Sequence, residues 1–179
     1  MTTYLPSLTL PDAVFLSPAA SMLVPVILGG ITGHSSSPKR NKRASVLNLK
    51  QPPGMPPAKV FPIAWTGLYT LMGYAAHRAI SAGLSSPVTT GLARRCATVY
   101  TLQLGLNMIW MPLFFVARRP IEATGNISAL VCLNTYLAYQ FGKLDTIAGW
   151  CMVPYVAWLS FGTYLSAGAG YLNGWEFKL

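Results

Sequence analysis

Residues Leu104 to Phe115 read LGLNMIWMPLFF, inside an uncharged run from Cys96 to Ala117 that is long enough to cross a bilayer as a helix. Asn107, Trp110 and Pro112 stand within six positions of one another in that run. An unpaired amide in hydrocarbon costs on the order of several kcal/mol. Asn107 must therefore face the interior of a bundle, where it meets another helix or a bound polar ligand.

Composition agrees with a membrane setting. The chain has 179 residues, 53% of them hydrophobic and only 9% charged, with a mean hydropathy of +0.43, where a soluble domain carries about 25% charged residues. The net charge of +9 comes from thirteen Lys and Arg against four acids. These basic residues cluster between apolar runs, a pattern that orients a membrane protein rather than one that binds nucleic acid. Cys96, Cys132 and Cys151 form no CxxC and lie in or beside apolar runs, which indicates neither a disulfide framework nor a zinc site. The first 33 residues contain no Lys or Arg, so the positive n-region of a signal peptide is missing and the N-terminal apolar run is expected to persist.

Apolar runs of about 20 residues, the length that crosses roughly 30 Å of hydrocarbon, recur at 13–33, 61–82, 95–117, 121–141 and 146–172. The expected fold is all-α, a polytopic membrane protein with a five-transmembrane-helix bundle forming a single domain over residues 1–179. Pro18 and Pro25 interrupt the first run, which membrane helices tolerate when neighbours satisfy the freed carbonyls. No internal repeat relates the runs, against an inverted-repeat transporter.

Loop charges set the expected orientation. Lys39, Arg40, Lys42, Arg43, Lys50 and Lys59 in the first loop, Arg118 and Arg119 in the third and Lys178 in the tail share one side, against Arg78, Arg94, Arg95 and Lys143 on the other. The positive-inside bias puts the first loop and the C-terminus in the cytosol. The first loop, 34–60, is long enough to be a lid or a flexible segment. Its first half, HSSSPKRNKR, reads as flexible; its second half contains Pro52, Pro53, Pro56 and Pro57, which restrict the backbone at low entropic cost and suit a lid.

Helical spacing gathers candidate site residues on three faces. Gln103, Asn107, Trp110 and Phe114 fall at i, i+4, i+7 and i+11; Trp65, Tyr69, Met72 and Ala76 repeat that spacing; Tyr155, Trp158, Gly162 and Leu165 fall at i, i+3, i+7 and i+10. Asn107 could be interhelical glue, worth about 0.6 kcal/mol on average, and the indoles interfacial anchors. Trp110 and Trp158 nevertheless lie deep within their spans, and buried indoles near an amide suit a flat aromatic ligand. On the other face of the third span, Ala93, Ala97, Thr101 and Gly105 form a small-residue ladder for close packing of a helix or a second subunit. Gly29 with Gly33, and Gly170 with Gly174, are read as helix-packing pairs in the same way. The acids Asp12, Glu122, Asp145 and Glu176 all fall near span ends, so no catalytic carboxylate pair is expected. His34 and His77 are far apart, which indicates no metal site. Binding is favoured over catalysis.

The stretches PPAKVFPIAWTGLYTLMGYAA, LQLGLNMIWMPLFF and PYVAWLSFGTYLSAG, in this order on the second, third and fifth spans, resemble the translocator protein family (TspO/MBR, the peripheral benzodiazepine receptor). The resemblance covers about Val24 to Leu172. It implies a five-helix membrane bundle with an interior pocket under the first loop, binding tetrapyrroles such as protoporphyrin and haem, sterols and benzodiazepine-site drugs, and commonly a dimer. No bound cofactor is implied beyond porphyrin or haem as ligand. Trp65 matches the tryptophan of the family's F-P-x-x-W-T-x-L-Y motif, Asn107 and Trp110 its L-N-x-x-W motif, and Trp158 its P-Y-x-x-W motif; Gly162 stands where relatives carry a small alanine in the pocket wall. Two features depart from the family. Ser45 and Val46 occupy the register of a Trp-Tyr pair, and the proposed sterol motif from Leu165 through Tyr171 to Lys178 has one residue too many in its second gap, although Arg95, Tyr100 and Leu102 match the reversed pattern. The leading expectation is a membrane translocator or receptor for porphyrins and possibly sterols. Alternatives are a light- and oxygen-dependent porphyrin-degrading enzyme and a structural membrane subunit. The family also suggests the mitochondrial outer membrane for a eukaryotic member.

Overall fold

The computed structural model describes residues 5–36 and 49–177. Lys39, Arg40, Lys42, Arg43, Ser45, Val46 and Lys178 lie outside the described residues. Among the described residues every regular element is a helix: α1 Asp12–Leu16, α2 Pro18–Ser35, α3 Val60–Leu84, α4 Pro87–Met111, α5 Pro120–Leu144 and α6 Thr146–Leu172. Proline starts α2, α4 and α5, where its fixed φ suits the first turn and its missing N–H would have had no partner in any case.

The expected first span is two helices. Pro18 has no N–H to donate, Ser17 is extended, and the Ser17 hydroxyl accepts from Ala20 N at 3.4 Å to cap α2. The Phe15 carbonyl stranded by this break is taken up by His77 Nδ1 at 2.7 Å and by the Ser81 hydroxyl at 3.4 Å. His77 thus ties α1 to α3. The third span also departs from expectation: α4 begins eight residues before Arg95, so Arg94 and Arg95 lie inside the helix rather than in a loop. At its other end α4 runs into a π-helical turn, Pro112–Val116, in which Ala117 N donates to Pro112 O five residues back at 2.8 Å. The wider turn accommodates the proline that a regular α-helix would exclude.

Small residues set the helix spacing. A Cβ on Gly149 would lie 2.7 Å from Gly142 Cα, so α5 and α6 pack backbone to backbone. Gly83 faces Ala93 across the α3–α4 hairpin, Gly73 lies against the backbone of Ser21 and Met22, and Gly29 lies against the Tyr69 ring. The ladder on α4 is used largely within the chain: Ala93 and Ala97 are buried, Thr101 Oγ1 accepts from Leu10 N at 3.0 Å, and Gly105 stays exposed. Gly174 is not a packing glycine; it sits beyond α6 at φ 64° with open space where a Cβ would stand, the left-handed conformation that glycine adopts at helix ends.

The main core joins Met72, Ala76 and Ile80 of α3, Cys96, Tyr100 and Leu104 of α4, Ile127, Leu137 and Phe141 of α5, and Met152, Tyr155 and Leu159 of α6. Phe15, fully buried, stands edge-on to Tyr100 at 5.7 Å and closes one end of this core. The outside is apolar as well: Leu23, Ile27 and Ile31 on α2, Ile63 on α3, Ile109 on α4 and Trp150 on α6 are exposed. Pro87–Val116 forms a 30-residue stretch whose most apolar 18 residues have mean hydropathy 1.4 and, among the described residues, it alone is long and apolar enough to cross a membrane. The other long helices are diluted by Ser, Thr, Gly, Trp and Tyr on inner and outer faces alike.

Candidate ligand-binding site

Asn107 stands on the inner face of α4, 6% exposed, between two tyrosines from other helices. Its Oδ1 accepts from Tyr69 OH of α3 at 2.5 Å, and its Nδ2 donates to Tyr155 OH of α6 at 2.7 Å. One amide thereby joins three helices. Its depth in an apolar run is what demands both partners, because hydrocarbon offers none.

An aromatic cage surrounds this node. The Trp65 ring lies 5.1 Å from Tyr69, 6.3 Å from Tyr155 and 6.3 Å from Trp158, the last two edge-to-face. Phe61, in the first turn of α3, adds an edge contact to Trp158 at 5.9 Å. Each centroid distance falls in the range at which aromatic pairs attract. Outside the cage, a groove of about 600 Å³ opens between α3 and α6, lined by Ile63, Gly67, Leu71, Pro154, Trp158 and Phe161. Its size is that of a small-molecule site. Trp158 belongs to both, as the wall between groove and cage.

The remaining expected residues make their main contacts elsewhere, although Trp110 also packs against the core that holds Tyr69 and Tyr155. Trp110 and Phe114 stack at 5.3 Å and, with Phe115 and Phe177, build a second aromatic cluster beside Ala123 and Ala169. Trp110 Nε1 is buried there with no hydrogen-bond acceptor among the described residues. Gln103, fully buried, turns to α3 and α5, donating to Met72 Sδ at 3.3 Å and accepting from Asn134 Nδ2 at 3.2 Å. Gly162 faces Ile127, whose Cδ1 lies 2.9 Å from where a Cβ would stand, so the room left by glycine is filled from α5. Leu165 is buried further along α6.

Sequence reasoning missed Asn134 of α5. It is fully buried, donates to Leu130 O at 2.9 Å as well as to Gln103, and leaves its Oδ1 without a partner among the described residues. The rule that singles out Asn107, an amide inside an uncharged run, finds Asn134 too. Opposite the cage end, Arg78 holds Asp145 through Nε at 3.1 Å and Nη2 at 2.7 Å, and Asp145 Oδ1 also accepts from Ala148 N at 2.8 Å to cap α6. The Arg78 hydrogen bonds, assisted by the Ala148 N–H, hold the Asp145 carboxyl below its ordinary value.

The second half of the first loop is fixed against α6. Lys50 N donates to Asn173 Oδ1 at 3.1 Å, Asn173 Nδ2 returns a bond to Lys50 O at 2.9 Å, and Tyr164 OH donates to Pro53 O at 3.1 Å. From there the chain runs to Val60 at the start of α3, beside Phe61 and the cage.

Comparison with known proteins identifies the family. The model of the TspO/MBR family matches residues 21–172. A translocator protein homolog of Schizosaccharomyces pombe is 37% identical over 154 residues, covering 86% of this chain and 90% of that one. A tryptophan-rich sensory protein of Cereibacter sphaeroides is 35% identical over 126 residues, 70% of this chain and 75% of the relative, and a translocator protein of Ovis aries is 30% identical over 121 residues, 66% and 69% respectively. With its all-helical fold and the three motif-bearing helices meeting at Asn107, the chain belongs to the TspO/MBR family of membrane proteins.

Proposed function

We propose that this protein crosses the membrane five times through α2 to α6 and binds a flat, largely apolar guest of the porphyrin or sterol class between α3, α4 and α6. The observation that carries the binding reading is the aromatic cage: Trp65, Tyr69, Tyr155 and Trp158 from two helices surround an amide from a third. Stacking surfaces with few polar groups recognise a flat conjugated ring. Within a helical turn of Asn107, the buried Trp110 N–H lacks an acceptor among the described residues, and a guest carrying a carboxylate or carbonyl supplies one. A tetrapyrrole combines both features.

Exposed aromatic residues support the membrane placement. Trp150 and Tyr171 of α6 are 71% and 76% exposed, and their 21-residue separation corresponds to about 31 Å along a helix, the thickness of the hydrocarbon layer. Such rings favour the headgroup level. Lys50, Lys59, Arg118 and Arg119 flank the end where the first loop docks, which we assign to the cytosol together with the C-terminus.

The test uses the whole protein in lipid nanodiscs. Protoporphyrin IX is expected to quench the tryptophan fluorescence saturably, and Asn107→Ala and Trp158→Ala are each expected to weaken affinity about tenfold. Unchanged affinity in both variants would reject the cage as the site. Illuminating the complex in air separates binding from degradation: a stable porphyrin spectrum identifies a binder, and a bleaching that depends on Trp65 or Trp158 identifies an enzyme.

A further inference from the structure

The groove between α3 and α6 opens on the outside of the bundle, and no charged or hydroxyl-bearing side chain lines it. Packing within the chain does not account for its shape. Gly67, on the α3 wall, is exposed, and a Cβ there would meet nothing within 4 Å, although glycine inside a helix costs about 0.5–1 kcal/mol relative to alanine. Ile63, one turn earlier on the same wall, is 76% exposed. The length of the groove selects its occupant. From Ile63 to Leu71 the wall extends about 12 Å along the helix, within the roughly 15 Å that one leaflet contributes to a hydrocarbon layer of about 30 Å. A transmembrane helix of another protein would need a matching face through both leaflets; an acyl chain needs only one. Charge selects the headgroup. Lys59 stands four residues before Ile63, on the same side of the helix, and its backbone is already helical at φ −67° and ψ −19°. It is exposed and, among the described residues, forms no ion pair. An ammonium group at the mouth of an apolar groove matches a phosphate on a hydrocarbon chain, whereas a sterol hydroxyl carries no charge to meet it.

We propose that the α3–α6 groove is a binding site for one anionic phospholipid of the leaflet nearest Lys59, with an acyl chain lying over Gly67 between the two helices and the phosphate paired with Lys59. The site rests on the placement of α3 and α6 in the bilayer and is separate from the guest in the cage, with which it shares only the Trp158 wall. One lysine near an anionic headgroup corresponds to a preference of about fivefold over a zwitterionic lipid.

Two measurements on the full chain in nanodiscs of equal phosphatidylglycerol and phosphatidylcholine test this. Native mass spectrometry reads the lipid that the released protein retains: wild type is expected to keep one, with phosphatidylglycerol favoured about fivefold. Gly67→Phe fills the groove from a position where nothing of the chain stands in the way, and is expected to lower retention about tenfold with a melting temperature at or above wild type. Gly67→Leu is the smaller filling and stays informative if the phenylalanine variant folds poorly. Lys59→Gln is expected to keep the lipid and lose the preference for phosphatidylglycerol. Gly125→Leu, on α5 with equally open space, serves as the control with both unchanged. In the second measurement, phosphatidylglycerol carrying a diazirine in its acyl chain is photolysed and the labelled peptides are mapped, with labels expected at 63–71 and 154–161 and reduced several-fold in Gly67→Leu. Wild-type retention in both Gly67 variants overturns the site, and an undiminished preference in Lys59→Gln overturns the assignment of the headgroup. Labels on exposed residues of α6 such as Val153, without any that depends on position 67, reject the site and leave the bilayer placement standing. Absence of label from both α3 and α6 rejects the placement, and the site with it.

Discussion

Asn107 offers the sharpest case of magnitude deciding between roles at a single residue. Interhelical hydrogen bonds in membranes average about 0.6 kcal/mol, which would make Asn107 a modest contributor if it made one bond. It makes two, to phenols that are 7% and 0% exposed, and removing it strands both hydroxyls away from water. An unsatisfied buried group costs about 1–3 kcal/mol. Asn107→Leu is therefore expected to lower unfolding free energy by about 2–4 kcal/mol, more than Tyr69→Phe, which strands only one amide oxygen. Denaturation in mild detergent measures the order; a loss in Asn107→Leu no larger than in Tyr69→Phe would show that the node is not shared. The amide itself was readable in the sequence, because an uncharged run makes any amide conspicuous. Its partners were only partly so: helical periodicity placed Tyr69 and Tyr155 on inner faces, but which amide they bind depends on how far each helix is rotated. Gln103, on the same stripe, binds Asn134 and Met72 instead. The stripe of α4 thus serves two neighbouring helix pairs, a division that spacing cannot reveal.

At the scale of elements, run length found the five long helices, and their ends moved wherever a contact rather than hydropathy decided them. Thr146–Leu172 matches the expected bounds because Asp145 caps it within its own sequence. The break at Ser17 and the π turn at Pro112 depend on partners from elsewhere: His77 and Ser81 accommodate the first, and the register of Phe114 against Phe177 accompanies the second. Asp145 does more than cap. It also clamps the α5–α6 turn to α3 through Arg78, and this gives the clamp a defined pH dependence. A carboxyl whose folded pKa lies below its unfolded value of about 3.9 contributes stability that is fully present above that value and is lost as pH falls through the folded pKa. The clamp is thus constant from neutral pH down to about pH 5 and fades below about pH 4. Asp145→Asn keeps an oxygen for the Ala148 N–H and removes the charge. It is expected to lower the melting temperature by several degrees at pH 7 and to flatten the acid-side fall expected of wild type. Parallel wild-type and variant curves down to pH 3 would show that the ion pair adds nothing.

Across the whole molecule the bundle is held by close approach more than by large side chains, since lipid competes equally well for apolar contacts and van der Waals packing must supply the association. Glycines mark the approaches, and their surroundings divide them into two kinds that the sequence cannot tell apart. Gly73 faces the Ser21 carbonyl and Met22 Cα of α2, and the Ser21 hydroxyl donates to Gly73 O at 2.8 Å. Gly125 of α5 has open space where its Cβ would stand. A methyl group at position 73 meets backbone, which cannot swing aside as a flexible side chain does, so α2 must move outward and the Ser21 bond lengthens. Overpacking of this kind costs about 1–3 kcal/mol. A methyl at position 125 meets nothing and removes the backbone freedom that glycine brings to a helix interior, a gain of about 0.5–1 kcal/mol. Gly73→Ala and Gly125→Ala, identical in chemistry and both within a 25-residue helix, are therefore expected to shift the melting temperature in opposite directions. α2 is the helix at stake, because its contact with α3 runs past both Gly73 and the Gly29 seat of Tyr69; displacing it also loosens the phenol that binds Asn107. Gly73→Ala should for that reason weaken porphyrin quenching along with stability, whereas Gly125→Ala should leave quenching unchanged. Equal melting temperatures for the two variants, measured in the same nanodiscs, would mean that α2 is free to slide and that close packing against α3 does not hold the site together.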